Sequence, residues 1–168
     1  MTKPYPDVPR IMAIVISTGR MGYVVLEGDN FLVDWGSHVL RSLSDQERLE
    51  KACKTLAWYL PDVVILENVT AAGCQKGTKT KQLVKKLAQE TRRRKIEVSI
   101  VNRQEVRQFF AAEGGTNKDL MARLVCNHLP ELIRILPNPR KPWNSEQHGM
   151  PIFEAAGFAL VHLRKHAR

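Results

Sequence analysis

The chain has 168 residues, of which 26 are Lys or Arg and 17 are Asp or Glu, so its formal net charge is +9. An apolar content of 43% and a charged content of 26% are ordinary for a globular protein and argue against a disordered chain. The longest apolar run, Ile11–Ile16, is far too short to cross a bilayer. We therefore expect a single domain over residues 1–168, without a membrane partner. Three widely spaced cysteines favour the reducing cytoplasm as its location.

The positive charge is concentrated in residues 76–95. This segment has nine cations and one anion, a formal charge of +8, whereas the other 148 residues have 17 cations and 16 anions. Clustered charge of this kind is typical of a surface that binds a polyanion, most often nucleic acid. A solvated, lysine-rich helix face is the alternative, and we favour the binding surface. The predicted contact residues in this segment are Lys76, Lys79, Lys81, Lys85, Lys86, Arg92, Arg93 and Arg94.

The chain is predicted to begin with strands. Residues 1–10 contain three prolines and form an irregular lead-in. Apolar and β-branched runs then predict three consecutive strands, at residues 11–17, 22–27 and 31–35. The second and third are joined by Gly28–Asp29–Asn30, which is a hairpin turn signal.

A helix, a short strand and the basic helix are predicted next. Ser44 and Glu47 have the spacing of a capping box and begin a helix that Pro61 ends. Residues 63–66 are expected to form a buried strand, with Glu67 at its C-terminal end. The basic segment then forms a helix that carries its cations opposite an apolar stripe.

The C-terminal half is predicted to contain one strand and three helices. The strand lies at 97–101, and the helices lie near residues 103–112, 117–134 and 151–165. Residues 137–150 are rich in Pro, Asn and Gly and are expected to form a mobile loop. This order predicts a mixed α/β fold, not the regular alternation of a dinucleotide-binding fold. The sequence also contains no glycine-rich phosphate loop.

The order of elements and five local motifs resemble the RuvC Holliday junction resolvases, a branch of the ribonuclease H-like fold. The motifs are IMAIVISTGRMGYVVL at 11–26, PDVVILENV at 61–69, RQEVRQFF at 103–110, NKDLMARLV at 117–125 and EAAGFALVH at 154–162. The resemblance implies an α/β fold in which a five-stranded mixed sheet is flanked by helices. It also implies a homodimer that handles branched DNA.

The same resemblance identifies the residues that would cut DNA. Members of the family bind two divalent cations, Mg²⁺ or Mn²⁺, with four carboxylates, and the metals activate a water for hydrolysis. Glu67 and Glu154 match two of these acids, whereas Val15 and Gly157 occupy positions where the family has aspartate. Glu67 and Glu154 are therefore expected to be catalytic metal ligands only if activity is retained. Otherwise no cofactor is expected.

Three functions are compatible with these residues. The first is a protein that recognises branched or structured DNA with weak or no nuclease activity. The second is an active, metal-dependent, structure-specific endodeoxyribonuclease in which Asp34 or His148 supplies a missing ligand. The third is an RNA-binding or assembly protein that reuses the fold. Retained basic residues favour the first, with DNA before RNA, and they include Arg107 and Lys118, which match family residues that face the scissile phosphate.

Five further residues have weaker predictions. Trp143 is expected either to stack on an unpaired base or to pack its loop down. Trp35 and Trp58 are expected in the core. His162 and His166 have the spacing of one helix face, but they lack partner ligands and are expected to belong to a basic tail.

Overall fold

A computed structural model describes Lys3 and residues 7–139, 141, 143 and 149–167. The strands in this part of the chain are β1 (Arg10–Ser17), β2 (Arg20–Glu27), β3 (Phe31–Val39), β4 (Val63–Glu67) and β5 (Glu97–Val101). The α-helices are α1 (Asp45–Tyr59), α2 (Thr78–Arg93), α3 (Arg103–Ala111), α4 (Lys118–His128) and α5 (Met150–His166). A 3₁₀ helix, Pro130–Ile135, follows α4.

The five strands form one mixed sheet in the order β3-β2-β1-β4-β5. The β1–β2 and β2–β3 pairs are antiparallel, and the β1–β4 and β4–β5 pairs are parallel. Helices α3, α4 and α5 pack on one face, which we call the α5 face, and α1 and α2 pack on the other, the α1 face. The predicted α/β class, with a five-stranded mixed sheet flanked by helices, is confirmed. None of the helices in the described ranges is long and apolar enough to span a bilayer.

The central strand explains why its sequence is apolar throughout. In β1, Ala13 and Val15 contact the core on the α5 face, and Ile14 and Ile16 contact the core on the α1 face. Successive side chains of a strand point to opposite faces, so a strand covered on both faces is apolar at every position. The pattern that predicted a buried strand is therefore a consequence of this two-sided burial.

Helix α5 lies directly against the sheet. Its residues from Met150 to His162 are all buried. A side chain at Gly22 of β2 would place its Cβ only 2.3 Å from the backbone carbonyl carbon of Pro151. The absence of a side chain at Gly22 thus allows the start of α5 to approach the sheet, and this contact fixes the position of Glu154 one turn later.

Two predicted elements have different bounds. The predicted strand 31–35 extends to Val39, because Gly36 and Ser37, which resemble strand breakers, pair with β2. The predicted helix 117–134 ends at His128, and a 3₁₀ helix follows. Pro130 cannot donate the hydrogen bond that a continuing α-helix needs, and its ring disfavours helical geometry in the residue before it.

Two tryptophans and two histidines can also be located. Trp58, which was expected in the core, is 63% exposed, whereas Trp35 is partly buried against the core on the α5 face. His162, which was expected in a basic tail, is only 6% exposed, and its Nδ1 lies 2.8 Å from the hydroxyl of Ser99. Burial, together with nearby His166, lowers the pKa of His162 to about 4. His162 is therefore a neutral core residue at pH 7, and only the exposed His166 fits the predicted basic tail.

Candidate functional site

The two candidate acids lie at the C-terminal edge of the parallel strands. Glu67 is the last residue of β4, and Glu154 lies in the first turns of α5. Ala13 pairs with Ile65 in the parallel register of β1 and β4. Continuing that register by two residues places Val15 beside Glu67. The sequence-based alignment is thus consistent in space, since an aspartate at position 15 would adjoin Glu67.

Arg103 joins the two carboxylates. Its Nε donates to Glu67 Oε1 at 2.7 Å, and its Nη2 lies 3.1 Å from Glu67 Oε2 and 3.3 Å from Glu154 Oε2. A guanidinium group suits this role because its fixed fork of donors matches two carboxylate oxygens at once. Arg103 was not singled out from the sequence. One signal was available: it begins α3 two residues after Val101, which pairs with Glu67 across the β4–β5 ladder.

Two lysines complete the pairing of the acids. Lys118 Nζ lies 2.9 Å from Glu154 Oε1. Lys76 Nζ lies 3.4 Å from Glu67 Oε2 and donates to the carbonyl oxygen of Ile16 at 2.7 Å. Two carboxylates therefore face three fixed cations, a formal local charge of +1. We call Lys76, Arg103 and Lys118 the cleft cations.

These cations keep Glu154 ionised although it is buried. Burial favours the neutral acid, but the charges of Arg103 and Lys118 outweigh it, so the pKa of Glu154 lies below its usual value. The same ion pairs outweigh the burial of Arg103 and raise the pKa of its guanidinium. Glu154 is therefore a carboxylate that is ion-paired with Arg103 and Lys118 at neutral pH.

The residues present do not fit a pair of divalent metal ions. Each of the four oxygens of Glu67 and Glu154 lies within 3.4 Å of a cationic side-chain nitrogen. Val15 is apolar and buried, and a side chain at Gly157 would place its Cβ 3.2 Å from both Val106 and Phe110. No cluster of three or more His, Cys, Asp or Glu that could hold a metal occurs within the described ranges. Mg²⁺ needs several oxygen ligands in near-octahedral geometry, and this set cannot supply them.

Asp34, the suggested substitute ligand that the structure describes, does not change this result. Asp34 lies on the α1 face of the sheet, opposite the face occupied by Glu67 and Glu154, and its Oδ2 accepts a hydrogen bond from the hydroxyl of Tyr59 at 2.5 Å. It therefore cannot join the two glutamates, and the suggestion that it replaces a missing acid is wrong. His148 lies outside the described residues.

A cleft of about 1570 Å³ opens over the paired acids. Six basic and three acidic residues line it, a formal excess of three positive charges. The basic ones are Arg20, Arg41, Lys76, Arg103, Arg107 and Lys118. Lys76, Arg107 and Lys118 were predicted as contact residues, whereas Arg20 and Arg41, which lie at strand ends and outside the basic segment, were not. A positive cleft with low-dielectric walls attracts polyanions.

The other predicted contact residues lie outside this cleft. They occupy α2 and the residue that follows it, a surface we call the α2 basic face, and they are Lys79, Lys81, Lys85, Lys86, Arg92, Arg93 and Arg94. The inner side of α2 packs on the α1 face of the sheet, away from α5. Among the residues that the structure describes, only Arg93 of this surface forms an ion pair, with Glu90 at 2.7 Å. Its charges are therefore open to solvent.

Trp143 does not line the cleft. Its side chain is 77% exposed, and the ammonium group of Lys141 lies 5.3 Å from its ring centroid. An exposed ring of this kind is accessible to a stacking partner, so base stacking by Trp143 stays a prediction.

Comparison with known proteins finds similarity in structure only. No protein-family model matches the chain, and no curated protein matches it. Its structure is similar to that of RuvC from Thermus thermophilus, with a TM-score of 0.65 and 15% sequence identity over 94% of this chain and 95% of that one. RuvC from the same organism in complex with a Holliday junction substrate gives a TM-score of 0.65 and 14% identity over the same shares.

The yeast mitochondrial Holliday junction resolvase Ydc2 is similar as well. Its TM-score is 0.63 at 13% identity, over 95% of this chain and 82% of that chain. The match extends over nearly the whole described chain and agrees with the order of motifs in the sequence. The chain therefore has the RuvC-like form of the ribonuclease H-like fold.

Proposed function

We propose that this protein binds branched or structured DNA in its positive cleft and does not cut it. The observation that carries the proposal is the pairing of Glu67 and Glu154 with three cations of the chain itself. A nuclease of this fold needs open carboxylates for two metal ions, whereas here the same positions hold an internal salt-bridge network. The remaining chemistry of the cleft is the attraction of phosphate.

The cleft and the α2 basic face support binding in different ways. Arg107 is exposed at the cleft and has no ion-pair partner in the described part of the chain, so its guanidinium is available to a phosphate. The α2 basic face adds a row of solvated charges, which release counterions when they neutralise phosphates. Contacts to phosphates fix position without reading sequence. Recognition of a DNA shape is consistent with this arrangement.

The preference for DNA and for a dimer is part of the proposal. One of the similar structures, RuvC from Thermus thermophilus, was solved in complex with a Holliday junction. A four-way junction has two-fold symmetry, which suits a homodimer that presents two equivalent clefts. We place the protein in the cytoplasm, where its three thiols, which form no disulfide, are stable.

The test compares binding and cleavage on three nucleic acids. Purified protein is mixed with a four-way DNA junction, a linear duplex and a structured RNA, each with and without Mg²⁺ or Mn²⁺. We expect the junction to be bound most tightly and to stay intact in every buffer, and calorimetry to detect no metal binding. Junction cleavage that Glu67→Gln abolishes would contradict the proposal. Tighter binding of the RNA would replace DNA with RNA as the partner.

A further inference from the structure

A second pocket opens beside the cleft. It has a volume of about 390 Å³ and lies between α3, the start of α4, and α5. Its walls are mainly apolar and come from Val106, Phe110, Met121 and Phe158. Small-molecule sites of about 300–1,000 Å³ with apolar walls and a few polar groups are typical of proteins. The pocket is thus large enough for a planar ring system.

The pocket and the cleft form one continuous space. Arg103, Arg107, Ala111, Lys118 and Glu154 line both of them. A group in the pocket would therefore lie next to the cationic part of the cleft. A ligand that suits both is apolar and planar at one end and anionic at the other, which is the chemistry of a nucleotide unit in a strand.

The pocket walls are fixed in place. Phe110 is fully buried, Phe158 is 2% exposed, and the guanidinium carbon of Arg103 lies 5.6 Å from the centroid of the Phe158 ring. Because Arg103 is also held by Glu67, this side of the pocket cannot collapse without breaking the salt-bridge network. Preformed walls lower the cost of binding, since less side-chain freedom is lost.

Polar groups lie on the rim. Asn117 accepts a hydrogen bond from the backbone N–H of Leu120 through its Oδ1, so its amide NH₂ points to no partner among the described residues. Thr116, whose hydroxyl can donate and accept a hydrogen bond, also lines the pocket. Both groups can bond to the edge of a base, whereas Lys118 and Arg107 suit its phosphate.

We propose that this pocket receives an unpaired base of the DNA strand that lies in the cleft. The inference rests on the proposed function and adds the recognition of an unpaired nucleotide to it. An unstacked base gains contact with apolar and aromatic walls, and the energetic cost of removing it from the stack is smallest where it is already unpaired. The pocket would therefore select gaps and bulges over a continuous duplex.

The experiment uses a bulged DNA in two forms, one with a single unpaired thymine and one with an abasic site in its place. Ala111 is exposed and lines both the cleft and the pocket, so Ala111→Phe obstructs the entrance without entering the core. The matched control is Ala112→Phe, because Ala112 is the exposed neighbour and lines neither space. Circular dichroism checks that both variants fold.

For the wild-type protein and Ala112→Phe, we expect the thymine bulge to bind roughly tenfold more tightly than the abasic bulge, a typical gain for one stacked base. Ala111→Phe should bind both forms with the weaker affinity. Permanganate reactivity of the thymine gives a second measurement, and we expect protection by the wild-type protein and by Ala112→Phe, but not by Ala111→Phe.

Two results would overturn the inference. Equal affinity of the wild-type protein for both bulges would exclude a base in the pocket and leave the proposed binding function intact. A thymine that is protected equally by all three proteins would place the base elsewhere. Failure of the wild-type protein to bind either bulge or a junction would instead refute the proposed function, and the base site would fall with it.

Discussion

The cleft cations and the α2 basic face differ in what their charges contact. Lys76, Arg103 and Lys118 each lie against a carboxylate that is only 5% exposed. On the α2 basic face, Arg93 has one partner, the partly exposed Glu90, and the other six residues make no ion pair within the described part of the chain. Both regions are positive, but the charges of the first are largely paired with carboxylates within the fold, and those of the second are balanced by solvent ions.

Because of this difference, the cleft cations should matter mainly for stability and the α2 basic face mainly for DNA binding. Removing a partner from a buried ion pair leaves an uncompensated charge away from water, which is strongly destabilising. Removing an exposed charge costs little stability, because water and salt already screen it. We therefore expect substitutions of the cleft cations to affect folding, and substitutions on the α2 basic face to affect the salt dependence of DNA binding.

The largest effect is expected for Arg103→Met. This change leaves Glu67 and Glu154 buried without their shared partner, and it should lower the free energy of unfolding by about 3 kcal/mol. Urea unfolding at pH 7 measures it. Arg107→Met, four residues later and exposed, is the matched control and should change stability by less than about 0.5 kcal/mol. Equal effects of the two substitutions would show that the salt-bridge network does not stabilise the fold.

A smaller effect on the free energy of unfolding is expected when the pH is lowered. The pKa of Glu154 is lower in the folded protein than its ordinary value of 4.5, so the folded state binds a proton less readily than the unfolded chain does. This ion pair therefore contributes stability above about pH 4.5, and the contribution is lost as the pH falls through the folded pKa. Urea unfolding between pH 3 and pH 7 should show a steeper loss for the wild-type protein than for Glu154→Gln.

The control for the acid measurement is Glu131→Gln, since Glu131 is exposed and forms no ion pair in the described structure. It should keep the steep pH dependence of the wild-type protein. A Glu154→Gln variant with an unchanged pH dependence would mean that Glu154 is not held by Arg103 and Lys118.

The smallest effect on stability is expected for the combined change of Arg92, Arg93 and Arg94 to Gln. Unfolding should shift by less than about 0.5 kcal/mol, because the three side chains are exposed. The slope of log affinity against log salt concentration should instead become shallower by about one to three, because each lost phosphate contact reduces it by about 0.9.

A junction-binding titration from low to high salt measures that slope. The control variant replaces Arg123 and Arg134 with Gln. Both residues are exposed and lie outside the cleft and α2, so this variant should keep the wild-type slope. A triple variant with the wild-type slope would show that the α2 basic face does not contact DNA.

Local patterns in the sequence predicted much of the fold. The β-branched runs, the Ser44–Glu47 capping box and the order of motifs depend on neighbouring residues, and the structure confirms the capping box and the RuvC-like architecture. The end of α4 was predicted six residues too late, although Pro130 is a local signal that prevents continuation of the helix. Glu67 could be placed at the end of a strand because it directly follows the apolar run at residues 63–66.

The residues that were missed depend on contacts distant in the chain. Arg103 meets Glu67 and Glu154, which are 36 and 51 residues away. His162 is buried on α5 and meets the hydroxyl of Ser99 on β5, 63 residues away. Trp58 was expected in the core from its residue type, but its position on α1 exposes it to solvent. No local pattern records such partners, because packing between elements sets them.

The positive charge likewise has one part that the sequence predicts and one part that only tertiary contacts decide. The sequence by itself determined that residues 76–95 carry +8 and that their cations lie opposite an apolar stripe. Only the tertiary structure decided that Lys76 joins the cleft while the rest of the segment follows α2 away from it. The reason is that Leu83, Val84 and Leu87 pack on the α1 face of the sheet, whereas Glu67 and Glu154 meet on the other. The sheet therefore separates one basic segment into a partly buried salt-bridge partner, Lys76, and a solvated surface.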